Sequence, residues 1–181
     1  MRKIKGSLTT EGINSIIRQL EEYRDKTLVD ACREFVNRLT IIGVKTAVSN
    51  PGKLGYLIYF SRDIKPTQYG CDAVVYGGDI QKIFSAWLQK DGSVKMAEVS
   101  PLLMEEFGSG QKAQNPKDVP GVGQGTFPPG GHGTEPGWYW KDLKGKWHYS
   151  TGFKPSQPMY KAWLEMYADV TKIAKEVFSN V

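Results

Sequence analysis

One stretch constrains this chain more than any other. Positions 108–137, thirty residues, hold nine of its 20 glycines and five of its 10 prolines. Glycine raises the entropy cost of ordering the backbone, and proline withholds an amide donor. No helix or interior strand can run through such a segment. It is therefore either a linker between domains or a long excursion out of one. Loops above about 15 residues inside a compact domain are uncommon, and are usually functional or disordered. The flanks decide between the two. Residues 138–181 hold too little apolar mass for a core of their own. Leu102–Phe107 and Trp138–Tyr149 both read as sheet elements. The stretch is thus expected to be an extended loop or arm within a single domain spanning 1–181.

Before it lies the longest periodic segment, residues 10–48. Ile13, Ile16, Ile17, Leu20, Tyr23, Leu28, Ala31, Cys32, Phe35, Leu39 and Ile42 recur at steps of mostly three and four, the spacing of a helical stripe. Thr9 or Thr10 supplies an N-cap. Glu21 with Arg24, Arg18 with Glu22, and Asp30 with Arg33 give the other face a solvated, charged character. A slip in spacing at Asp25–Thr27 marks a kink or a break into two helices, and Asn50-Pro51-Gly52 ends the pattern. Residues 55–62 and 72–76 read as strands, joined by a turn-rich link over Asp63–Gly70 and closed by Gly77-Gly78. Ile80–Gln89 fits a short helix, Val94–Val99 a strand, and Pro101–Phe107 a helical turn or a strand. Trp138-Tyr139-Trp140 and Trp147-His148-Tyr149 around a Gly-containing turn carry a hairpin signature. Ser156 is positioned to cap a final helix with Pro158 in its first turn. That helix bears a stripe from Met159 to Phe178. The expected fold class is α+β: a long N-terminal amphipathic helix, an antiparallel or mixed sheet with an aromatic hairpin, a C-terminal helix, and the Gly/Pro-rich loop.

The bulk numbers narrow function by exclusion. Hydrophobic residues make up 40% and charged residues 24%, enough to bury a core. No apolar run approaches the roughly 20 residues that span a bilayer, and no apolar segment follows the basic N-terminus as in a secretory signal. Two cysteines, Cys32 and Cys71, cannot form a disulfide framework, and a reducing cytoplasm with both thiols free is expected. The net charge of +5 is spread out: +3 over 1–50 (9 − 6), −1 over 51–110 (6 − 7) and +3 over 111–181 (9 − 6). A dedicated DNA binder shows a sharper basic stripe.

Candidate chemistry is thin. A Cys–His pair is possible on paper, but Cys32 lies on the apolar stripe, and His132 sits in Gly-Gly-His-Gly with no fixed partner. His132 with Glu135 is one short pair, too few for a metal site. Gly121-Val-Gly123-Gln-Gly125 lacks the strand–helix setting of a phosphate loop. Glu105-Glu106 are adjacent, so neither a helix nor a strand converges their carboxyls on one point. A solvated edge or an intersubunit salt bridge is expected for them. Trp138, Tyr139, Trp140, Trp147 and Tyr149 could be cross-strand packing, a protein interface, or a base-stacking platform. No catalytic set and no cofactor are expected.

A resemblance adds to this. Leu102–Gly110 (Leu-Leu-Met-Glu-Glu-Phe-Gly-Ser-Gly) resembles the YVEFGTG element of a family of small proteins from long-tailed bacteriophages. A Gly-rich excursion follows, then Pro136-Gly-Trp-Tyr-Trp140 and Trp147–Gly152. The run Gly152-Phe-Lys-Pro-Ser-Gln-Pro-Met-Tyr-Lys-Ala162 is similar to that family's TxGxxPxxFMYxA ending. The likeness covers the chain from about residue 95 onward. It implies a tail component: a neck or tail-completion protein of the virion, made in the host cytoplasm, at the head–tail joint. The implied partners are copies of itself in a ring, often of six, and other neck and tail proteins. DNA would pass through the lumen without sequence-specific binding, and no membrane is involved. Glu105, Phe107, Gly108, Gly110, Phe127, His132, Trp138, Trp140 and Trp147 are the residues expected at its protein interfaces. The alternative from the residues alone is a nucleic-acid-binding module built on the aromatic hairpin with Lys141, Lys144 and Lys146.

Overall fold

The computed structural model describes residues 7, 9–68, 70–88, 91, 93–108, 112, 138–141, 144–152 and 154–179. The fold is α+β, as expected. Its order is α1 (Thr10–Glu22), a π-helical turn (Tyr23–Thr27), α2 (Leu28–Ser49), a 3-10 turn (Gly55–Leu57), β1 (Ile58–Thr67), β2 (Gly70–Asp79), β3 (Ile83–Leu88), β4 (Val94–Val99), α3 (Pro101–Phe107), β5 (Trp138–Lys141), β6 (Trp147–Ser150) and α4 (Pro158–Phe178). Three strand pairs form among the described residues: β1 with β2, β3 with β4, and β5 with β6. The chain divides into two compact units, one from Met1–Val44, Ser61–Val75 and Trp163–Val181, the other from Lys45–Phe60 and Tyr76–Ala162. α2, β1, β2 and α4 contribute residues to both.

In the first unit, Thr9 caps α1 by accepting from the Gly12 amide at 3.1 Å. The spacing slip at Asp25–Thr27 is absorbed by the π turn, one extra residue that re-phases the apolar stripe between α1 and α2. Ala31, Ile173 and Val177 form the buried centre, with Phe35, Leu39, Ile42 and Phe178 packed around it. The Phe35 and Phe178 rings meet at 5.7 Å, tilted by 53°. Arg62 of β1 donates to the Asn37 backbone oxygen, to Asn37 Oδ1 at 2.6 Å and to Thr40 Oγ1. This ties the strand to α2. α1 differs from α2 in having no buried residue at all.

Several sequence expectations need correction. The link over Asp63–Gly70 does not form: β1 runs on to Thr67 with Pro66 inside it. In a two-stranded sheet each strand keeps one unpaired edge, where a missing amide costs no ladder bond. Gly77-Gly78 do not close β2, which continues to Asp79. A Cβ on Gly78 would stand 2.6 Å from the Tyr59 hydroxyl, and one on Gly77 3.0 Å from the Phe60 ring, so the glycines make room for aromatic rings. Ile80–Gln89 is not a helix. Ile83–Leu88 is a strand paired antiparallel with β4, Ile83 opposite Val99 and Leu88 opposite Val94. Of the two readings of Pro101–Phe107 the helical one holds: Leu102–Phe107 is not a sheet element but part of α3, capped by Ser100, whose hydroxyl oxygen accepts from the Leu103 amide, with Pro101 in the first turn. Asp79 Oδ1 accepts from both the Ser100 hydroxyl and the Leu102 amide, which fixes α3 to the end of β2.

Candidate functional site

The densest polar constellation lies in the second unit, where α3 ends. Glu105 and Glu106, expected at a solvated edge and, for Glu105, at a protein interface, are both buried, 1% and 7% exposed. Their carboxyls diverge as helix geometry requires, and each finds its own partners. Glu105 Oε1 accepts from the Leu54 amide at 2.6 Å, and Oε2 from the Ser156 hydroxyl at 2.8 Å. The Glu105 carbonyl accepts from the Ser156 and Gln157 amides, both at 2.9 Å. Glu106 accepts from the amides of Met159 and Tyr160, each at 2.9 Å.

These contacts explain three local features. The first amides of a helix lack intrahelical partners, and in α4 the Glu106 carboxylate takes two of them. Ser156 is therefore not the cap of α4, as its sequence position suggests. Its hydroxyl is given to Glu105, and Gln157 enters the helix at φ 56°. Gly52 stands at φ +72°, where a Cβ would run into Glu105 Oε2, so only glycine fits between the carboxylate and the turn. Burial pushes the Glu106 carboxyl above its ordinary value, against the pull of the two amides and of nearby Lys161. Both carboxylates spend their oxygens on the chain's own donors, which makes this a structural knot.

The knot sits three residues before the Gly/Pro stretch. Phe107 closes α3, and Gly108, buried, follows at φ 75° with its amide on the Met104 carbonyl. Gly110, Phe127 and His132 lie outside the described residues. Trp138 and Trp140 lie in β5, which pairs antiparallel with β6 as the hairpin signature predicts: Trp138 opposite Ser150, Tyr139 opposite Tyr149, Trp140 opposite His148, Lys141 opposite Trp147. Alternation in this register puts Tyr139, Trp147 and Tyr149 on one face. Tyr139, Trp147 and Tyr149 are exposed. The Tyr139 and Tyr149 rings meet at 5.0 Å, tilted by 58°. Exposed Lys144 and Lys146 lie between the strands.

The interface set named from the sequence is thus split. Trp147 is on a surface, Glu105 is not, and Phe107 and Gly108 belong to the knot. Sequence reasoning missed the capping role of Glu106 and the fit of Gly52. Cys32 and Cys71 are half-buried free thiols. Among the described residues no group of three His, Cys, Asp or Glu side chains could hold a metal, and no helix is long and apolar enough to cross a membrane. The chain matches no protein-family model, no curated protein and no solved structure.

Proposed function

We propose that this chain is a virion structural protein of a long-tailed phage, acting at the head–tail joint by docking to copies of itself and to neck and tail proteins. One observation carries the reading: each unit presents large apolar side chains to solvent. In the first they include Ile13, Ile17 and Leu20 on α1 and Trp163, Leu164 and Tyr167 on α4. In the second they include Phe84, Met96, Tyr139 and Trp147. Apolar surface gathered this way marks protein contacts, and aromatic residues are enriched at interface cores. The resemblance over Leu102–Gly110 and Gly152–Ala162 supplies the setting. The knot holds one base of the 109–137 segment and the hairpin receives the other, a sensible mounting for a segment that reaches a neighbouring protein. The test is deletion of residues 111–135 in the phage that encodes the chain. Loss of joined, infectious particles is expected; particles that still join and infect refute the reading.

The hairpin favours a second reading, binding of nucleic acid. Exposed Tyr139, Trp147 and Tyr149 beside Lys144 and Lys146 combine stacking faces with cations. It predicts salt-sensitive DNA affinity that falls on Trp147→Ala. Binding unaffected by that change removes it.

A further inference from the structure

Charge is not shared evenly between the two units. The second has twelve lysines, no arginine and eight acidic residues, a balance of +4 (12 − 8) out of the chain's +5. Its described acids are engaged within the chain. Glu105 and Glu106 are buried in the knot. Asp79 holds Ser100 and Leu102, Asp91 accepts from the amide and hydroxyl of Ser93, and Glu98 is paired with Lys82 at 3.3 Å. The hairpin turn, residues 141–146, adds three lysines against one aspartate. This unit therefore presents a positive surface, which suits an anionic partner.

Aromatic rings stand beside these cations. The β3–β4 register sets Phe84, Val94 and Met96 on one face, and all three are exposed. The hairpin turns Tyr139, Trp147 and Tyr149 to solvent in the same way. On the reverse faces, Ile83 and Val99 of the first pair and His148 and Ser150 of the second are half-buried. Cα atoms of β5 come within 8 Å of those of β3. Stacked sheets lie about 10 Å apart, so the hairpin lies beside the β3–β4 pair and not over it. Both half-buried faces turn to the body of the unit, and the two exposed faces adjoin.

We infer that this joint face binds single-stranded nucleic acid without regard to sequence, with bases on the Phe84, Trp147 and Tyr149 rings and phosphates on the lysines. The inference rests on the nucleic-acid reading above. It extends that site from the hairpin onto β3 and β4 and names the state of the strand, and it leaves the exposed side chains of the first unit to protein contacts. Stacking on rings needs unpaired bases with open faces, which a single strand has and a duplex does not. Lysine meets phosphate as a point charge, and a site with no arginine lacks the commonest bidentate reader of guanine. Charge alone would suit an acidic protein equally; the rings beside it favour bases.

The test is fluorescence anisotropy with the full chain at low salt. The probe is labelled oligothymidine of roughly 20 nucleotides, longer than the ~4–16 nucleotides that such sites cover, compared with a duplex of the same length. The single strand is expected to bind about tenfold tighter or more. Equal binding overturns the inference and leaves the nucleic-acid reading standing, whereas no binding of either removes both. Oligouridine is expected to bind like oligothymidine, since rings and lysines do not read the 2′-hydroxyl; a strict preference for one sugar counts against the site. Phe84→Leu and Tyr149→Leu keep apolar bulk and remove a ring at exposed positions. Each, with its fold checked by circular dichroism, is expected to weaken binding about tenfold; variants that bind like wild type overturn the inference. Lys144→Gln/Lys146→Gln is expected to flatten the slope of log affinity against log salt by about 1.4, and an unchanged slope contradicts the phosphate contacts. Polyglutamate that displaces the probe as well as unlabelled oligothymidine does, charge for charge, overturns the inference in favour of an acidic protein.

Discussion

Glu105 and Glu106 are neighbours with the same side chain, yet the structure predicts opposite tolerance to the same substitution. The partners of Glu105 are one fixed amide and one hydroxyl. In Glu105→Gln the amide oxygen keeps the Leu54 N–H. The new NH2 faces Ser156 Oγ, which can turn its proton away and accept. Both bonds survive without charge assistance, at a cost of about 1 kcal/mol. Glu106 accepts from two backbone amides that cannot turn. In Glu106→Gln one N–H meets another donor, and a helix-end amide is left unpaired in a buried site, at about 2 to 3 kcal/mol. Glu105→Ala strands both the Leu54 amide and the Ser156 hydroxyl where exposure is 1%, at about 4 kcal/mol in sum. Urea unfolding at neutral pH, with the slope against denaturant held constant as a check, should rank the losses Glu105→Gln, then Glu106→Gln, then Glu105→Ala. If Glu105→Gln proves as damaging as Glu105→Ala, the hydroxyl is not the switchable partner and the reasoning fails.

Three further outcomes follow from the same contacts. Gly52→Ala places a methyl on the Glu105 carboxylate at a positive φ and should cost at least about 2 kcal/mol. In a Glu105→Ala background the clash with the carboxylate should vanish and only that with Ser156 Oγ, 2.6 Å from the added Cβ, should remain, so strict additivity of the two losses in a double-mutant cycle counts against the close approach. The folded-state pKa of Glu106 lies above its ordinary 4.5 because the group is buried, so the stability it contributes is whole below about 4.5 and is lost as pH rises through the folded value. The stability of wild type relative to Glu106→Gln should therefore grow on acidification from neutral towards 4.5; a difference that shrinks instead contradicts the burial of this carboxyl. Arg62→Met keeps the aliphatic stem but leaves the Asn37 and Thr40 oxygens without their donor, and thermal melts should show a loss of about 2 kcal/mol.

How much of this was legible depended on sequence distance. The long helix, its break, the Thr9 cap, β4, the hairpin and α4 are written in neighbouring residues, through periodicity, caps and turn chemistry. β3 was not, because Ile83, Phe84, Trp87 and Leu88 fit a helix by spacing, and what decides for a strand is the ladder to Val94–Val99. α3 was half legible: a helical turn was one of the two readings of Pro101–Phe107, and Ser100-Pro101 at one end and Gly108 at the other are the start and stop signals that favour it over a strand. The knot was out of reach. Glu105 finds its partners 51 residues away in both directions, and Glu106 finds its own 53 and 54 residues on. A pair of glutamates in a row carries no sign of that. Gln157 at positive φ was equally hidden, since its conformation follows from where the Glu105 carbonyl draws the preceding amides.

The knot also has a mechanical meaning. Tension entering the chain at residue 109 meets, within a few residues, hydrogen bonds that tie α3 at once to the turn before β1, to residues 156–157 and to the first turn of α4. Those bonds lie at the C-terminal end of a helix of only seven residues, so a pull from residue 109 must break them before it unravels the rest of α3. A segment mounted there can be tugged by whatever it grips while the strands and helices behind it stay in register.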